Sequence, residues 1–236
     1  MVYVENMLKT FYNLLFPKFC EGCNKFGEKI CTNCSKKIPV LQNQECLMCS
    51  HPSINGYTHK ICKVSYAPEQ TISMFKYSGI IKSLIRKGKY RGNFKAYLPI
   101  INLYASKTDQ LKNFKGCVLV PIPISRKRLQ KRGYNQCYKI CKYLEKYVPQ
   151  SKTINLLRRV KETQSQYSLK REERMINMKG AFKLNSKLAN QIKNQKIVIV
   201  DDISTTGSTL KEACKEVYKA NPKTVYCLTL SKDTIY

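Results

Sequence analysis

The stretch that decides the fold reads Lys196-Ile-Val-Ile-Val-Asp201-Asp202-Ile-Ser204-Thr205-Thr206-Gly207-Ser208-Thr209. Its four consecutive β-branched residues, 197–200, predict a strand that is buried on both faces. Two carboxylates follow the strand, and a run of small hydroxyl residues then leads into a helical pattern over 210–217. A strand, a small-residue loop and a helix form the geometry that points backbone N–H groups at an anion. The alternative is an ordinary buried strand whose loop only caps a helix.

This stretch resembles the phosphoribosyl-pyrophosphate (PRPP) signature of type I phosphoribosyltransferases. The shared pattern is a hydrophobic strand, Asp-Asp, two further residues and Thr-Thr-Gly-x-Thr. The resemblance implies that the two acids hold the ribose diol, that the loop holds the 5′-phosphate, and that Mg²⁺ arrives with PRPP. The predicted phosphate-binding set is Asp201, Asp202, Ser204, Thr205, Thr206, Gly207, Ser208 and Thr209.

Composition narrows the class of protein. The 236 residues carry a formal net charge of +28, and 35 of the 43 basic residues but only 11 of the 15 acidic ones follow residue 66. A polyanionic partner is the natural inference, with nucleic acid first and a membrane surface second; a solvated basic surface is the alternative. No apolar run is long enough to span a membrane. The N-terminus lacks the pattern of a secretory signal, which predicts a cytoplasmic protein.

Seven of the twelve cysteines precede residue 67; six of them form three pairs with two residues between the members, and Cys62 has the same spacing to His59. This spacing is typical of structural zinc sites, in which two such turns close a tetrahedral coordination sphere. Sequential pairing predicts one site from Cys20, Cys23, Cys31 and Cys34 and a second from Cys46, Cys49, His59 and Cys62. The alternatives for the second site are His51 in place of His59, or absence of the ion. Disulfides would need an oxidising compartment.

These features divide the chain into a metal-binding module over 1–66 and an α/β domain over 67–236. Residues 3–16 have the apolar periodicity of an amphipathic helix, which is expected to pack on its neighbour. Strands alternating with helices predict a mostly parallel sheet that binds ligand at the carboxyl ends of its strands. Further strands are expected around 74–77, 116–124, 153–157 and 225–230, with helices over 80–85, 94–106 and 134–147.

Basic residues cluster at two places in the larger domain. One lies at the end of the helix that begins near residue 80, where Tyr90 and Phe94 alternate with cations in a pattern that suits base stacking. The helix dipole alone would explain some of these cations. The other is a predicted loop over 125–133 that follows a strand end and is suited to the pyrophosphate side of a ligand.

Several ordered matches identify the chain as similar to the ComF family of competence-associated, phosphoribosyltransferase-like proteins. They include Val120-Pro-Ile-Pro123, Arg132-Gly-Tyr-Asn-Gln136, Lys89-Tyr-Arg-Gly92 and Asn177-Met-Lys-Gly-Ala-Phe182, together with the paired cysteines. His59 departs from the family, which usually has cysteine there. By position, 159–171 corresponds to the mobile loop that covers the active site in type I phosphoribosyltransferases, with an ordinary surface loop as the alternative. Candidate contacts to pyrophosphate or DNA are Lys89, Arg91, Arg126, Arg128, Lys131, Arg132, Asn135, Gln136, Arg159 and Arg174.

The resemblance implies a protein of natural transformation that handles incoming single-stranded DNA in the cytoplasm, alongside other DNA-uptake or recombination proteins. The basic, aromatic-containing surface is independently compatible with this function. The alternative is an active phosphoribosyltransferase that uses PRPP and an unidentified acceptor. The sequence contains no recognisable base-specific hood, and neither histidine lies in the larger domain to act as a general base.

Overall fold

The computed structural model describes residues 18–90, 92–161 and 178–233. Seven strands are present in these ranges: β1 (Gln70–Lys76), β2 (Val118–Pro121), β3 (Lys152–Thr153), β4 (Leu157–Arg159), β5 (Phe182–Leu184), β6 (Lys196–Ser204) and β7 (Thr224–Lys232). Five of them form a parallel sheet in the order β1-β7-β6-β2-β3, and β4 pairs with β5 as a small antiparallel hairpin. The prediction of an α/β protein with a parallel sheet is confirmed.

The central strand β6 is buried on both faces, as its β-branched run predicts. Side chains alternate across a strand, so Val198 and Val200 pack into one core while Ile197 and Ile199 pack into the other. All four side chains are fully buried. This double burial fixes the register of β6 and therefore fixes which residues emerge at its carboxyl end.

Seven helices accompany the sheet in the described ranges: α1 (Thr32–Lys36), α2 (Gly79–Lys89), α3 (Leu98–Lys107), α4 (Arg126–Arg132), α5 (Gln136–Leu144), α6 (Ser186–Ala189) and α7 (Ser208–Tyr218). Apolar residues of α2, α3 and α5 form one core with the face of β6 that carries Val198. Helix α7 and the β4–β5 hairpin form the second core on the opposite face. Layers on both faces are what an all-parallel sheet requires.

The basic stretch after β2 is a helix, α4, so the prediction of a loop at this place is wrong. Ser125 caps the helix, because its hydroxyl accepts a hydrogen bond from the backbone N–H of Arg128 at 3.4 Å. Gly133 ends the helix with a left-handed φ of 78°, which glycine adopts without steric cost. Arginine, lysine, leucine and glutamine all favour helix. The residue propensities and the capping residues at both ends therefore all predict the helix that is observed.

Three other elements differ in extent from the sequence prediction. The strand expected around 153–157 is divided into β3 and β4, and the helix expected over 94–106 is a 3-10 turn (Phe94–Tyr97) followed by α3. Strand β6 continues to Ser204 because its pairing with β7 extends to the Ser204–Lys232 register. The two acids therefore lie within the strand and not after it.

The cysteine-rich segment packs against the edge of the sheet formed by β1. Gln44 joins them, because its amide donates to Ser73 O and accepts from Ser73 N–H, both at 3.0 Å. Further along the segment, Leu41 N–H donates to Met74 O at 2.9 Å, and Tyr57 forms a bridge with Gln70. The predicted helix over 3–16 lies outside the described residues.

No helix in the described part of the chain has the length and apolarity needed to cross a membrane.

Candidate functional site

Asp201 and Asp202 lie side by side at the carboxyl end of β6, and both are buried. The backbone N–H of Asp202 donates a hydrogen bond to Asp201 Oδ1 at 2.8 Å. The thiol of Cys137, at the start of α5, donates to the same oxygen at 3.3 Å. Lys89, the last residue of α2, reaches Asp202 with its Nζ 3.0 Å from Oδ2. Elements from three parts of the chain therefore hold the acid pair.

The acid pair is electrostatically strained. Burial, followed by the adjacent charge of Asp202, raises the pKa of Asp201 to about 7. Two neighbouring carboxylates in a low-dielectric site resist full ionisation, and the ammonium group of Lys89 partly offsets this effect. Burial also raises the pKa of Cys137 well above its usual range, and Asp201 adds to the rise, so the thiol keeps its proton. Asp201 is therefore protonated more readily than an exposed aspartate.

The turn after β6 is built from small residues. Gly207 has a left-handed φ of 73° and directly precedes α7. The Thr206 hydroxyl accepts a hydrogen bond from the Ser208 N–H at 3.4 Å and lies 3.0 Å from the Ser208 hydroxyl. The N-terminus of an α-helix presents backbone donors and a positive dipole end, both of which favour a phosphate group.

A cavity of about 130 Å³ opens at this edge of the sheet. Asp201, Asp202, Thr205 and Thr209 line it together with the Ile122–Ile124 segment after β2. The basic and amide side chains that line it are Lys89, Arg128, Arg132, Gln136 and Arg159. Nine of the predicted site residues thus meet at one cavity, with buried acids and arginine side chains around the same space.

The other predicted residues lie elsewhere. Ser204, Thr206 and Gly207 line a separate small cavity beneath the second cysteine cluster. Asn135 is occupied with capping α5, since its side chain accepts from Cys137 N–H at 2.9 Å and donates to Ile122 O at 3.0 Å. Ser208 begins α7, while Arg126 and Lys131 lie on α4 and do not line the cavity. Arg91, Arg174 and most of the predicted mobile loop over 159–171 are outside the described residues.

Sequence reasoning did not identify Tyr77, Ile203 and Asp233, which also line the cavity, or Cys137, which contacts the acid pair. Cys137 is fully buried like an ordinary core residue, yet its sulfur contacts Asp201. No local pattern distinguishes this cysteine from the neighbouring buried Cys141. Only the packing of α5 against β6 brings it to the acid pair.

The aromatic residues beside the cavity have different environments. Tyr90 is half exposed, and the guanidinium of Arg132 lies 5.8 Å from the centre of its ring. Phe94 packs edge-on against Tyr134 with ring centres 5.6 Å apart, and Lys139 Nζ lies 4.6 Å from its ring centre. Tyr90 is therefore the aromatic side chain that offers an exposed surface next to the arginines.

The first cysteine cluster brings together the side chains predicted for it. The sulfurs of Cys20, Cys23, Cys31 and Cys34 all lie within 4.8 Å of one another. Burial opposes ionisation of Cys20, but backbone N–H donors from Cys31, Gly22 and Cys23 outweigh it and lower the pKa of its thiol to about 6. Four sulfurs with one ionised near neutral pH form the donor set of a closed, tetrahedral zinc site.

The second cluster contains Cys46, Cys49, His59 and Cys62, whose ligand atoms also lie within 4.8 Å of one another. His59 belongs to this group and His51 does not. His59 Nε2 lies 3.1 Å from the Pro52 carbonyl, and Nδ1 lies 3.3 Å from the Cys49 sulfur. A hydrogen bond from Nε2–H to the carbonyl leaves Nδ1 as the ligand atom, the arrangement common among metal-binding histidines. The donor set fits zinc.

Comparison with known proteins agrees with this architecture. The family model described as "Phosphoribosyl transferase domain" matches residues 148–234, which include β6, the acid pair and α7. Competence protein ComFC of Bacillus subtilis is 26% identical over 198 residues, covering 81% of this chain and 78% of the relative. Competence protein F of Haemophilus influenzae is 27% identical, covering 85% and 84%. DNA utilization protein YhgH of Salmonella typhimurium is 25% identical, covering 84% and 89%.

The parallel sheet, the acid pair at the end of β6 and the helix that follows it define a phosphoribosyltransferase domain. Two cysteine clusters capable of binding metal precede this domain. With this combination of features, the chain is similar over most of its length to the competence proteins ComFC and F.

Proposed function

We propose that this protein binds and handles single-stranded DNA in the cytoplasm during natural transformation, and that it carries a PRPP-binding pocket. The observation that carries the proposal is the cavity that combines two buried acids, the start of α7 and a group of arginines. Its relatives are competence and DNA utilization proteins, which supports the same process. Its protein partners would be other proteins of DNA uptake or recombination.

The pocket is suited to PRPP for chemical reasons. Carboxylates accept hydrogen bonds from sugar hydroxyls, so Asp201 and Asp202 would hold the ribose diol. Thr205, Thr209 and the N-terminus of α7 would hold the 5′-phosphate, with Ser204, Thr206, Gly207 and Ser208 shaping the turn. Arg128, Arg132 and Arg159 would face the pyrophosphate, because guanidinium groups bind phosphate oxygens in pairs. Mg²⁺ bound to PRPP would neutralise part of the ligand's charge.

The DNA-binding surface would extend from the rim of this pocket. Lysine and arginine side chains supply contacts to phosphates, and Tyr90 supplies a ring on which a base can stack. Arg91, Arg126, Lys131 and Arg174 are proposed as further contacts. The charge of +28 gives the chain a general attraction to nucleic acid that depends on salt concentration.

The two cysteine clusters are proposed to hold one zinc ion each. Closed sets of four ligands stabilise a fold and leave no position for substrate, so zinc here would be structural. Residues 1–66 would then form a metal-dependent module joined to a phosphoribosyltransferase-like domain over 67–236. Much of the module's folding free energy would come from the metal, about 10–16 kcal/mol per ion by comparison with zinc-finger peptides.

One experiment separates the two binding activities. Binding of PRPP by calorimetry and of single-stranded oligonucleotide by gel retardation is measured on wild type and on the Asp201→Asn/Asp202→Asn variant. We expect the variant to lose PRPP binding and to retain salt-dependent DNA binding. Absence of DNA retardation by the wild type at low salt would refute the DNA-handling function.

A second candidate function is catalysis of phosphoribosyl transfer to an unidentified acceptor. The observation that favours it is Asp201, whose pKa of about 7 allows a proton to be accepted or released near neutral pH. Release of pyrophosphate from PRPP in the presence of nucleobases, abolished by the same double variant, would support turnover. No release across the nucleobases, with PRPP binding intact, would leave the pocket as a binding site.

A further inference from the structure

The second cysteine cluster lies directly against the turn 205–207 between β6 and α7, the proposed phosphate turn. Leu47, between Cys46 and Cys49, is buried and packs in the same core as Leu210 of α7. A Cβ atom placed on Gly207 would come within 2.6 Å of Leu47 Cδ1. Two features favour glycine at position 207: its left-handed backbone and the close approach of the Leu47 side chain.

Two polar contacts join the turn 46–49 and the residue before it to α7 and to β7, the strand beside β6. Lys211 of α7 donates from Nζ to the Met48 carbonyl at 3.0 Å. Immediately before the turn, Glu45 pairs with Lys232 at the end of β7, with 2.8 Å between Oε2 and Nζ. The cysteine turn thus holds both α7 and the strand that neighbours β6.

The turn itself has little internal structure to hold Leu47 in place. Its main-chain hydrogen bonds are from Cys46 N–H to His51 O and from Ser50 N–H to Cys46 O, both at 2.9 Å. Ser50 has a left-handed φ of 63°, a conformation that costs energy for a residue with a side chain. The flanking ligands Cys46 and Cys49 belong to one cluster, so an ion shared by them would restrict Leu47 more than the backbone does.

We propose that a divalent metal ion bound by Cys46, Cys49, His59 and Cys62 sets the affinity of the pocket for PRPP, and that Leu47 is the positioning residue that transmits this effect. The inference rests on the proposed PRPP-binding function. Coupling between two sites is reciprocal, so PRPP also strengthens retention of the ion. A chain that lacks this ion is expected to bind PRPP more weakly while its sheet stays folded.

The first cluster provides an internal comparison because it packs elsewhere. Glu21, between Cys20 and Cys23, pairs with Lys87 of α2 at 2.6 Å and accepts from the Ser83 hydroxyl at 3.1 Å. Gly22 lies against Ile80 on the same helix. Removing the ion from this cluster is therefore expected to leave the turn at Gly207 unchanged.

The first test uses Leu47→Ala, with Ile61→Ala as its control. Ile61 is an almost fully exposed aliphatic residue next to the metal ligand Cys62. Hydrogen exchange of the segment 203–210 is measured without ligand, PRPP affinity is measured by calorimetry, and metal content by mass spectrometry. With zinc retained in both, we expect Leu47→Ala to accelerate exchange in this segment and weaken PRPP about tenfold, within the usual range of coupling between sites. Ile61→Ala should match the wild type.

The second test removes one ion at a time with Cys62→Ser and Cys23→Ser. Each variant should retain one zinc ion, but only Cys62→Ser should accelerate exchange over 203–210 and weaken PRPP. In the wild type, saturating PRPP should slow the release of zinc from the second cluster to a chelator.

The outcomes distinguish the inference from the function on which it rests. Wild-type exchange and PRPP affinity in a zinc-loaded Leu47→Ala protein would overturn the inference and leave the PRPP pocket intact. Equal effects of Cys23→Ser and Cys62→Ser would also overturn it, by showing a general loss of stability. Failure of the zinc-loaded wild type to bind PRPP would overturn the proposed function, and the inference would fall with it.

Discussion

Replacing Lys89 with methionine tests the electrostatic account of the acid pair. Lys89 Nζ lies 3.0 Å from Asp202 Oδ2, and only 13% of the lysine side chain and 6% of the aspartate side chain are exposed. Removing one partner of a buried ion pair leaves an uncompensated charge, which costs about 3–5 kcal/mol. Because a cavity adjoins the pair, the lower end is appropriate, and we expect a loss of about 3 kcal/mol in the free energy of unfolding.

The loss should depend on pH, and its sign follows from Asp201. The charge of Lys89 lowers the pKa of Asp201 against the larger effect of burial, so without Lys89 that pKa rises further above its present value of about 7. A carboxyl group whose pKa is higher in the folded state stabilises the fold while protonated, and this contribution disappears as pH rises through the folded pKa. The cost of Lys89→Met should therefore be full at pH 8 and smaller at pH 5.

Urea unfolding followed by far-UV circular dichroism measures this loss. With an m value of about 3 kcal/mol/M, a cost of about 3 kcal/mol lowers the midpoint by about 1 M. Lys112→Met is the control, because Lys112 pairs with Asp109 on the surface, where 69% and 81% of the side chains are exposed. Exposed pairs contribute at most about 1 kcal/mol. Equal midpoints for the two variants at pH 8, or no recovery when Asp202→Asn is added to Lys89→Met, would refute the reasoning.

Three further predictions concern packing, protonation and metal. Gly88→Ala should destabilise the protein by about 1–3 kcal/mol, seen as a lower urea midpoint, because the new methyl carbon would meet the buried ring of Tyr97 at 2.4 Å. The free energy of unfolding of the wild type should fall from about pH 4 to about pH 7, where Asp201 is ionised in the unfolded chain but still protonated in the fold, and this fall should be smaller in Asp201→Asn, the matched control. A chelator should release two zinc ions per chain and lower the thermal midpoint; a metal content near zero in freshly purified protein would contradict the zinc assignment.

The sheet was predictable because its central strand carries the signal locally. A run of β-branched residues from Ile197 to Val200 has one stable placement, at the centre of a parallel sheet, and the acids after it must then lie at the ligand-binding edge. The two cysteine clusters were predictable for a similar reason, since the spacing within each cysteine pair specifies a turn. His59 lies in the second cluster as predicted, and His51, the alternative, does not.

Helix α4 shows where the same method failed although the signals were present. Ser125 and Gly133 bracket a run of good helix formers, but the density of positive charge favoured the interpretation as a loop. Charge describes what a surface attracts, whereas capping and propensity decide whether the backbone is helical.

The environment of the phosphate turn could not be predicted from the sequence in any form. The contact between Met48 and Lys211 joins residues 163 positions apart, and no periodicity encodes such a pairing. Similarly, Lys89 and Cys137 reach the acid pair from α2 and α5, which meet only when both helices pack on the sheet. Sequence patterns identify residues suited to a site, but tertiary packing selects the ones that form it.

The charge pattern of the pocket separates the places proposed for PRPP and for DNA. The acids and the arginines line the same cavity, but the acids are buried. Arg132 also lies 5.8 Å from the ring centre of the half-exposed Tyr90, at the edge of the cavity. A ligand that reaches the acids must offer hydroxyl groups or a cation, since a phosphate placed there would be repelled. The deoxyribose units of a DNA strand have no vicinal diol, so they cannot satisfy the acids, while their phosphates match the arginines and lysines outside. Substitutions of the acids should therefore affect PRPP alone, and substitutions of Arg128 or Arg132 should weaken both ligands.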